Sequence, residues 1–186
     1  MADPFQRLIQ ELAKEAPGIR GEGRSEWGAN TKGMRPKIRE AIQAAATWNA
    51  GDLELLTDLE NPPRPYSTSV SISHTQDFGG WMSVPRPTQI GWDIEVKARI
   101  KDSIIERVCA GIEVAKAPKK SYLWCAKEAF FKALEDDQPD VLVQLTVSDW
   151  TKAGDDLWKW KGLGPRNGAG LLIESDSWIL AGCLIS

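Results

Sequence analysis

Two carboxylates alternate along one apolar stretch of this 186-residue chain. In residues 90–96, Asp93 and Glu95 are two apart, so on a β-strand they point to one face, roughly 7 Å apart along it. Trp92, Ile94 and Val96 point the other way, toward a core. Two carboxylates side by side repel and are costly to half-bury unless a cation neutralises them. Oxygen-only donors suit a hard ion such as Mg²⁺, which takes one or two carboxylates plus water and substrate phosphates. Taken alone, the same pattern fits two solvated carboxylates at a sheet edge.

A third carboxylate stands on a helix. Residues 121–134 contain no Gly or Pro and lie between Pro118 and Pro139, which reads as one helix. Its broad apolar face is Tyr122, Leu123, Ala126, Ala129, Phe130, Ala133 and Leu134. Lys127, Glu128, Lys132 and Glu135 fall on the other face, with Trp124 and Phe131 among them. Large aromatics beside a carboxylate imply that something covers this face and satisfies Glu128. The plainer alternative is a surface Glu128–Lys132 pair worth only ~0.2–0.5 kcal/mol. Residues 69–75, Ser-Val-Ser-Ile-Ser-His-Thr, alternate as another strand and end at His74, the single histidine. An imidazole there can meet a phosphate, or be merely structural.

These groups need a scaffold to bring them together. The length suits one ordinary domain or two small lobes with a real core. A net charge of −3 points away from nucleic acid and anionic membranes. No apolar run reaches the ~18 residues of a membrane span, and the amphipathic start is unlike a signal peptide. Cys109, Cys125 and Cys183 lack metal-type spacing, implying buried thiols in a reducing cytosol. Residues 3–16 read as a helix, 17–36 as a glycine-rich loop with Arg20, Arg24, Lys32 and Arg35, and 37–48 as a second helix. Residues 52–59 read as a strand or turn, and 61–65 as a rigid proline connector. Further strands are expected at 78–84, 90–96, 141–149 and 157–161, a helix at 103–114, and a closing hairpin at 170–174 and 178–186. That hairpin echoes 69–75 with 78–84, which suggests two related halves meeting near residue 88. Between 97 and 120, seven basic residues meet three acidic ones, a surplus of four on an acidic chain. Such an island suggests an acidic partner, or else a solvated helix face.

In this order, Ser-x-Ser-His-Thr, Gly-x-Asp-x-Glu and Trp-x-x-Lys-Glu-Ala-x-x-Lys resemble the motifs of the 4′-phosphopantetheinyl transferases, over roughly residues 61–186. The resemblance implies an α+β fold and, in the two-lobed branch, a pseudo-dimer of similar lobes, here 1–88 and 89–186. It implies Mg²⁺-dependent transfer of 4′-phosphopantetheine from coenzyme A to a serine of an acyl or peptidyl carrier protein, as in holo-acyl-carrier-protein synthase. The other product is adenosine 3′,5′-bisphosphate. Asp93, Glu95 and Glu128 would hold the metal, while Arg64, His74 and Lys132 would meet coenzyme A. Arg64 stands where Lys is more usual, and Trp92 where a smaller aliphatic is. In the two-lobed branch a glutamate six residues beyond an arginine also acts near the serine; Arg107 and Glu113 match that spacing. Glu113 and Glu128 are therefore rival bases, with Lys132 as a further catalytic group. The partners implied are coenzyme A and a carrier protein, with no nucleic acid or membrane, for a cytoplasmic monomer.

Two other functions are compatible with the same residues. A non-catalytic member would bind coenzyme A or a carrier without transfer. An unrelated metal-dependent phosphohydrolase would use Asp93 and Glu95 and cleave a phosphoester with no carrier present.

Overall fold

A computed structural model describes residues 3–30 and 33–186. Lys32, one of the basic residues noted in the glycine-rich stretch, lies outside the described residues. The first helix, α1 (Pro4–Ala13), starts where the Asp3 carboxylate accepts from the Phe5 amide at 2.9 Å, with proline in its first turn. Phe5, Leu8 and Leu12 follow at helical spacing and are buried.

The stretch expected as a loop contains a strand, β1 (Arg20–Arg24). Its Arg-Gly-Glu-Gly-Arg sequence has no apolar residue, so local preference does not mark it. Pairing and close approach make the strand: a Cβ on Gly21 would sit 2.7 Å from the Trp81 carbonyl oxygen. Helices α2 (Met34–Ala44) and α3 (Ala50–Thr57) come next. Residues 52–59, expected as strand or turn, thus lie largely in a helix. Asn49 caps it, accepting from the Asp52 amide at 2.8 Å, and a short apolar run does not by itself separate helix from strand.

Strands β2 (Thr68–His74), β3 (Gly79–Pro85) and β4 (Gln89–Val96) follow as expected. The helix expected over 103–114 is two, α4 (Asp102–Val108) and α5 (Gly111–Lys116). Cys109 and Ala110 are extended between them, and the Glu113 carboxylate accepts from the Ala110 amide at 2.7 Å, which starts the second helix. Helix α6 (Lys120–Ala133) is the helix of Glu128 and Lys132. The stretch 141–149 begins as a 3-10 turn, and its strand β5 (Thr146–Lys152) starts later. Strands β6 (Leu157–Leu163), β7 (Gly168–Glu174) and β8 (Trp178–Ile185) complete the chain.

The fold is mixed α+β, with two antiparallel sheets and six α-helices among the described residues. The smaller sheet has the order β1-β3-β2 and the larger β4-β8-β7-β6-β5. In each, a first strand is followed by helices and then by a hairpin whose last strand returns beside the first. The two hairpin turns also match: the Thr75 amide donates to the Phe78 carbonyl at 2.7 Å, and the Ser175 amide to the Trp178 carbonyl at 2.9 Å. Helices α2 and α3 pack on the small sheet around Ile38, Ile42, Leu56 and Trp81. Helix α6 buries Leu123, Ala126 and Phe130 against one face of the large sheet. Helix α1 lies on the opposite face, where Leu8 and Leu12 share a core with Trp92, Leu180 and β3. No helix among the described residues is long and apolar enough to cross a membrane.

Candidate active site at the seam between the sheets

The two sheets meet along β2 and β4, and serine side chains stitch them. Ser69, Ser71 and Ser73 alternate along β2 and so share one face. Ser69 Oγ accepts from the Ile90 amide and Ser71 Oγ from the Trp92 amide, each at 3.0 Å. Ser73 Oγ donates to Asp93 Oδ1 at 2.8 Å. The alternation thus ends on a site carboxylate.

Helix α6 reaches the same place because β4 carries glycine where the helix crosses it. A Cβ on Gly91 would lie 2.0 Å from the Ala129 carbonyl oxygen and 2.3 Å from the Ala133 nitrogen. Only with hydrogen there can the helix lie this close, and Lys132 then spans to Asp93 at 2.6 Å and to Ser73 Oγ at 3.0 Å. Asp93 is 4% exposed, and its other oxygen, Oδ2, is buried without a hydrogen-bond partner among the described residues. Burial works against the charge on Lys132, but Asp93 more than offsets it, so the Lys132 pKa is raised.

Glu95 Oε1 accepts from Trp124 Nε1 at 2.6 Å. Trp124, on the charged face of α6, thus meets β4 rather than solvent. Burial, with the Asp93 and Glu128 charges adding to it, pushes Glu95 up to about 7, against Trp124 and Lys132. Burial also raises Glu128, where Lys132 opposes and Asp93 adds. The structure thus brings Asp93, Glu95, Glu128 and Lys132 into one electrostatically coupled group. Among the described residues no three carboxylate, histidine or cysteine side chains converge closely enough to form a ready metal cage. The donor set nevertheless fits a hard cation: all oxygen, two carboxylates held above their ordinary pKa, and one buried oxygen unpaired.

Glu113 stands apart from this group. It is 3% exposed, and its oxygens accept from the Ala110 amide, the Val147 amide at 2.8 Å and Lys127 at 3.0 Å. None of these partners is a site residue. Lys127, expected on the charged face of α6, is instead completely buried. A helical wheel sends a lysine outward, and only contacts with distant segments reverse that.

A cavity of about 320 Å³ opens between α2, the proline connector and β2, and Lys132 is the member of the coupled group that lines it. Arg35, Arg39, Arg64, His74, Lys132 and Glu135 are among its lining residues. His74, at the end of β2, is held below the ordinary imidazole value by partial burial first, then by Lys132 and Arg35. Arg64 is paired with Asp136 and donates to the Glu135 carbonyl at 3.0 Å. Sequence reasoning missed Arg39 and Glu135. Arg39 is 6% exposed; one amino group donates to the Asn61 carbonyl at 2.6 Å, while Nη1 is buried without a partner. Its position one turn after Arg35 on α2 is the signal that could have found it. Glu135, at a φ of 49°, accepts from Ser69 and Arg86, each at 2.6 Å, and so ties β2 to the start of β4.

Three of the seven basic residues of the island are paired, at its two sequence ends. Lys97 and Lys119 both pair with Glu174, and Lys120 pairs with Asp102 and Glu106. Arg99, Lys101, Arg107 and Lys116 are exposed and form no ion pair among the described residues.

The α+β seam thus carries coupled carboxylates, a lysine and a cavity lined by several cations. Residues 89–158 match the model of the 4′-phosphopantetheinyl transferase superfamily, a group whose chemistry is phosphopantetheinyl transfer. The match runs from the first residue of β4 into β6, covering Asp93, Glu95, Glu113, Glu128 and Lys132 and leaving Arg64 and His74 outside it. No curated protein matches the chain.

Proposed function

We propose that this protein transfers 4′-phosphopantetheine from coenzyme A to a serine of an acyl or peptidyl carrier protein, as a Mg²⁺-dependent holo-carrier-protein synthase. The observation that carries the reading is Asp93: one oxygen is held by Lys132 and Ser73, the other is buried with no partner among the described residues, and its charge raises the pKa of both Glu95 and Glu128. A buried carboxylate oxygen with no donor is costly, and a cation shared with Glu95 and Glu128 removes that cost. Mg²⁺ held there would neutralise charge on the pyrophosphate and on the departing phosphate.

The chain's own residues do the rest. Lys132, already charged and aimed at the seam, neutralises phosphate oxygens alongside Asp93. The cavity takes the nucleotide end of coenzyme A: His74, Arg35 and Arg64 meet phosphate, and Nη1 of Arg39 supplies a donor with no acceptor among the described residues. The serine oxygen forms a bond to the phosphorus carrying pantetheine, and the bond to adenosine 3′,5′-bisphosphate breaks. The serine proton passes to Glu128 or to water beside it, since both oxygens of Glu113 are already taken by donors. The repeated strand orders β1-β3-β2 and β4-β8-β7 support a two-lobed reading, with lobes 1–88 and 89–186 and the site between them. On this reading the chain acts as a monomer, its second lobe standing in for a partner subunit, in the cytoplasm.

Incubating candidate carriers with the protein, coenzyme A and Mg²⁺, then measuring intact mass, tests this directly. The expected result is a gain of one phosphopantetheine per carrier, lost when the acceptor serine is changed to alanine. Hydrolysis of a phosphoester with no carrier present, and no gain in carrier mass, would make the protein a phosphohydrolase instead.

A further inference from the structure

Helix α6 buries one lysine that the candidate site does not use. Lys127 Nζ donates to the Val108 carbonyl at 2.6 Å, the Leu145 carbonyl at 2.7 Å and Glu113 Oε2 at 3.0 Å, with the Leu142 carbonyl at 3.5 Å. The same Glu113 oxygen accepts from the Ala110 amide at 2.7 Å, and Oε1 accepts from the Val147 amide. One ion pair thus gathers the end of α4, the start of α5 and the segment entering β5, and fastens all three to the helix of Glu128. Both oxygens of Glu113 are committed to donors, which leaves it poorly suited to take a proton from anything else.

The outward side of these fastened segments is unusually apolar. Ile112 is 64% exposed, Val141 49% and Val143 50%. Lys116 follows Ile112 by four residues on α5 and shares its face. Neither Lys116 nor Arg107, at the end of α4, forms an ion pair among the described residues. Exposed aliphatic side chains on segments that also carry unpaired Arg107 and Lys116 fit a partner surface that is apolar and acidic.

We propose that the Lys127–Glu113 pair is a positioning device. It holds the wall made by residues 108–114 and 142–147 at a set distance from Glu128, and that wall receives the acceptor protein. The acceptor half of this statement rests on the transferase reading above; the bracing half does not. Loosening the pair leaves the wall less pre-formed for docking and does not alter the site's own chemistry.

Lys127→Met keeps the bulk of the side chain and removes its charge. In the full-length protein, hydrogen exchange at the Ala110 and Val147 amides should rise while α6 stays protected. A wall that must be ordered on docking weakens acceptor binding without changing the bound geometry, so the acceptor KM should rise about tenfold or more. The kcat at saturating acceptor, and coenzyme A affinity, should stay within about threefold. Glu113→Gln should raise the acceptor KM likewise, and the double variant should be no worse than the worse single, as for two residues in one network. Unchanged exchange at Ala110 and Val147 in Lys127→Met would overturn the bracing role. A Glu113→Gln enzyme that loses kcat and the acidic limb of its pH profile, with acceptor KM unchanged, would make Glu113 the base and overturn the proposal. Should Lys127→Met fail to fold, Ile112→Asp leaves the pair intact: a raised acceptor KM supports the wall, and an unchanged one removes it. If no carrier is modified by the wild-type protein, the transferase reading fails, and the exchange measurement still decides the pair.

Discussion

Lys132 reaches from α6 across to β4 and places its ammonium 2.6 Å from Asp93 Oδ1, leaving Oδ2 buried and without a donor. Two roles follow for the lysine, one structural and one chemical. Breaking a buried pair by removing one partner costs about 3–5 kcal/mol. Lys132→Met should destabilise the protein, with part of that loss recovered in Lys132→Met/Asp93→Asn. Transfer should fall by ~10²-fold or more in both variants, because a lost charge stabiliser is not restored by repairing the fold. Thermal melts beside single-turnover rates separate the two effects, and activity returning with stability would deny Lys132 a chemical role.

The close crossing of α6 over Gly91 sets the geometry of the site. Gly91→Ala places a methyl 2.0 Å from the Ala129 carbonyl oxygen, so the helix must move or the variant must unfold. A loss of about 1–3 kcal/mol, or more because backbone rather than a flexible side chain is in the way, is expected from denaturant unfolding. A melt indistinguishable from wild type would show that the helix and strand have slack.

The strand and helix of the candidate site were legible in the sequence, and the buried Lys127–Glu113 pair behind them was not. Alternation alone put Asp93 and Glu95 on one face, and a 3.6-residue period set Glu128 and Lys132 one turn apart. The same wheel sent Lys127 to solvent, because its partners lie at residues 108, 113, 142 and 145, and no local pattern announces a buried ion pair built from distant segments. Strand β1 was missed for a related reason: its glycines make close contacts that only the folded neighbour supplies. The serines of β2 read as an ordinary alternating strand, and their bonding to β4 shows only once the sheets meet.

The cavity should bind the nucleotide end of the substrate through Arg39. Hydrogen bonds to charged groups contribute roughly 1.5–3 kcal/mol, so Arg39→Met should weaken coenzyme A binding by about tenfold or more while the acceptor KM holds. Calorimetry with coenzyme A and with 3′-dephospho-coenzyme A makes the comparison. Equal affinity of wild type and variant for both ligands would remove Arg39 from the site.

Glu174 gives a pH dependence with a definite sign. Partial burial works against its charge, but hydrogen bonds from Lys119, Tyr122 and Lys97 outweigh that and hold its pKa at about 2, below the ordinary 4.5. A depressed carboxylate contributes stability above its unfolded value and loses it as pH falls through the folded one. The wild-type melt should therefore drop between pH 4.5 and about 2, and Glu174→Gln should flatten that drop while lowering stability at neutral pH. Parallel pH profiles of the two proteins would deny the pairing any energetic weight.

The free part of the basic island should steer the acceptor. Lys119 and Lys120 are already paired within the chain, so Arg107→Glu with Lys116→Glu should raise the carrier KM more than charge reversal at 119 and 120. Rim charges act mainly on association rate, and screening is strong beyond ~8 Å at physiological salt. The double reversal should accordingly flatten the ionic-strength dependence of the carrier KM and leave that of coenzyme A unmoved. Equal effects on both substrates would assign these residues to the nucleotide side.

The mass of a carrier protein after incubation, with and without free Mg²⁺, tests the central claim most directly. With coenzyme A and Mg²⁺ the wild-type protein should add one phosphopantetheine, and EDTA should abolish the addition until Mg²⁺ is restored. Asp93→Asn and Glu128→Gln, checked for an intact fold by circular dichroism, should give no addition with Mg²⁺ present. Full modification by the wild-type protein in chelator, or by either variant, would contradict a cation held by Asp93, Glu95 and Glu128.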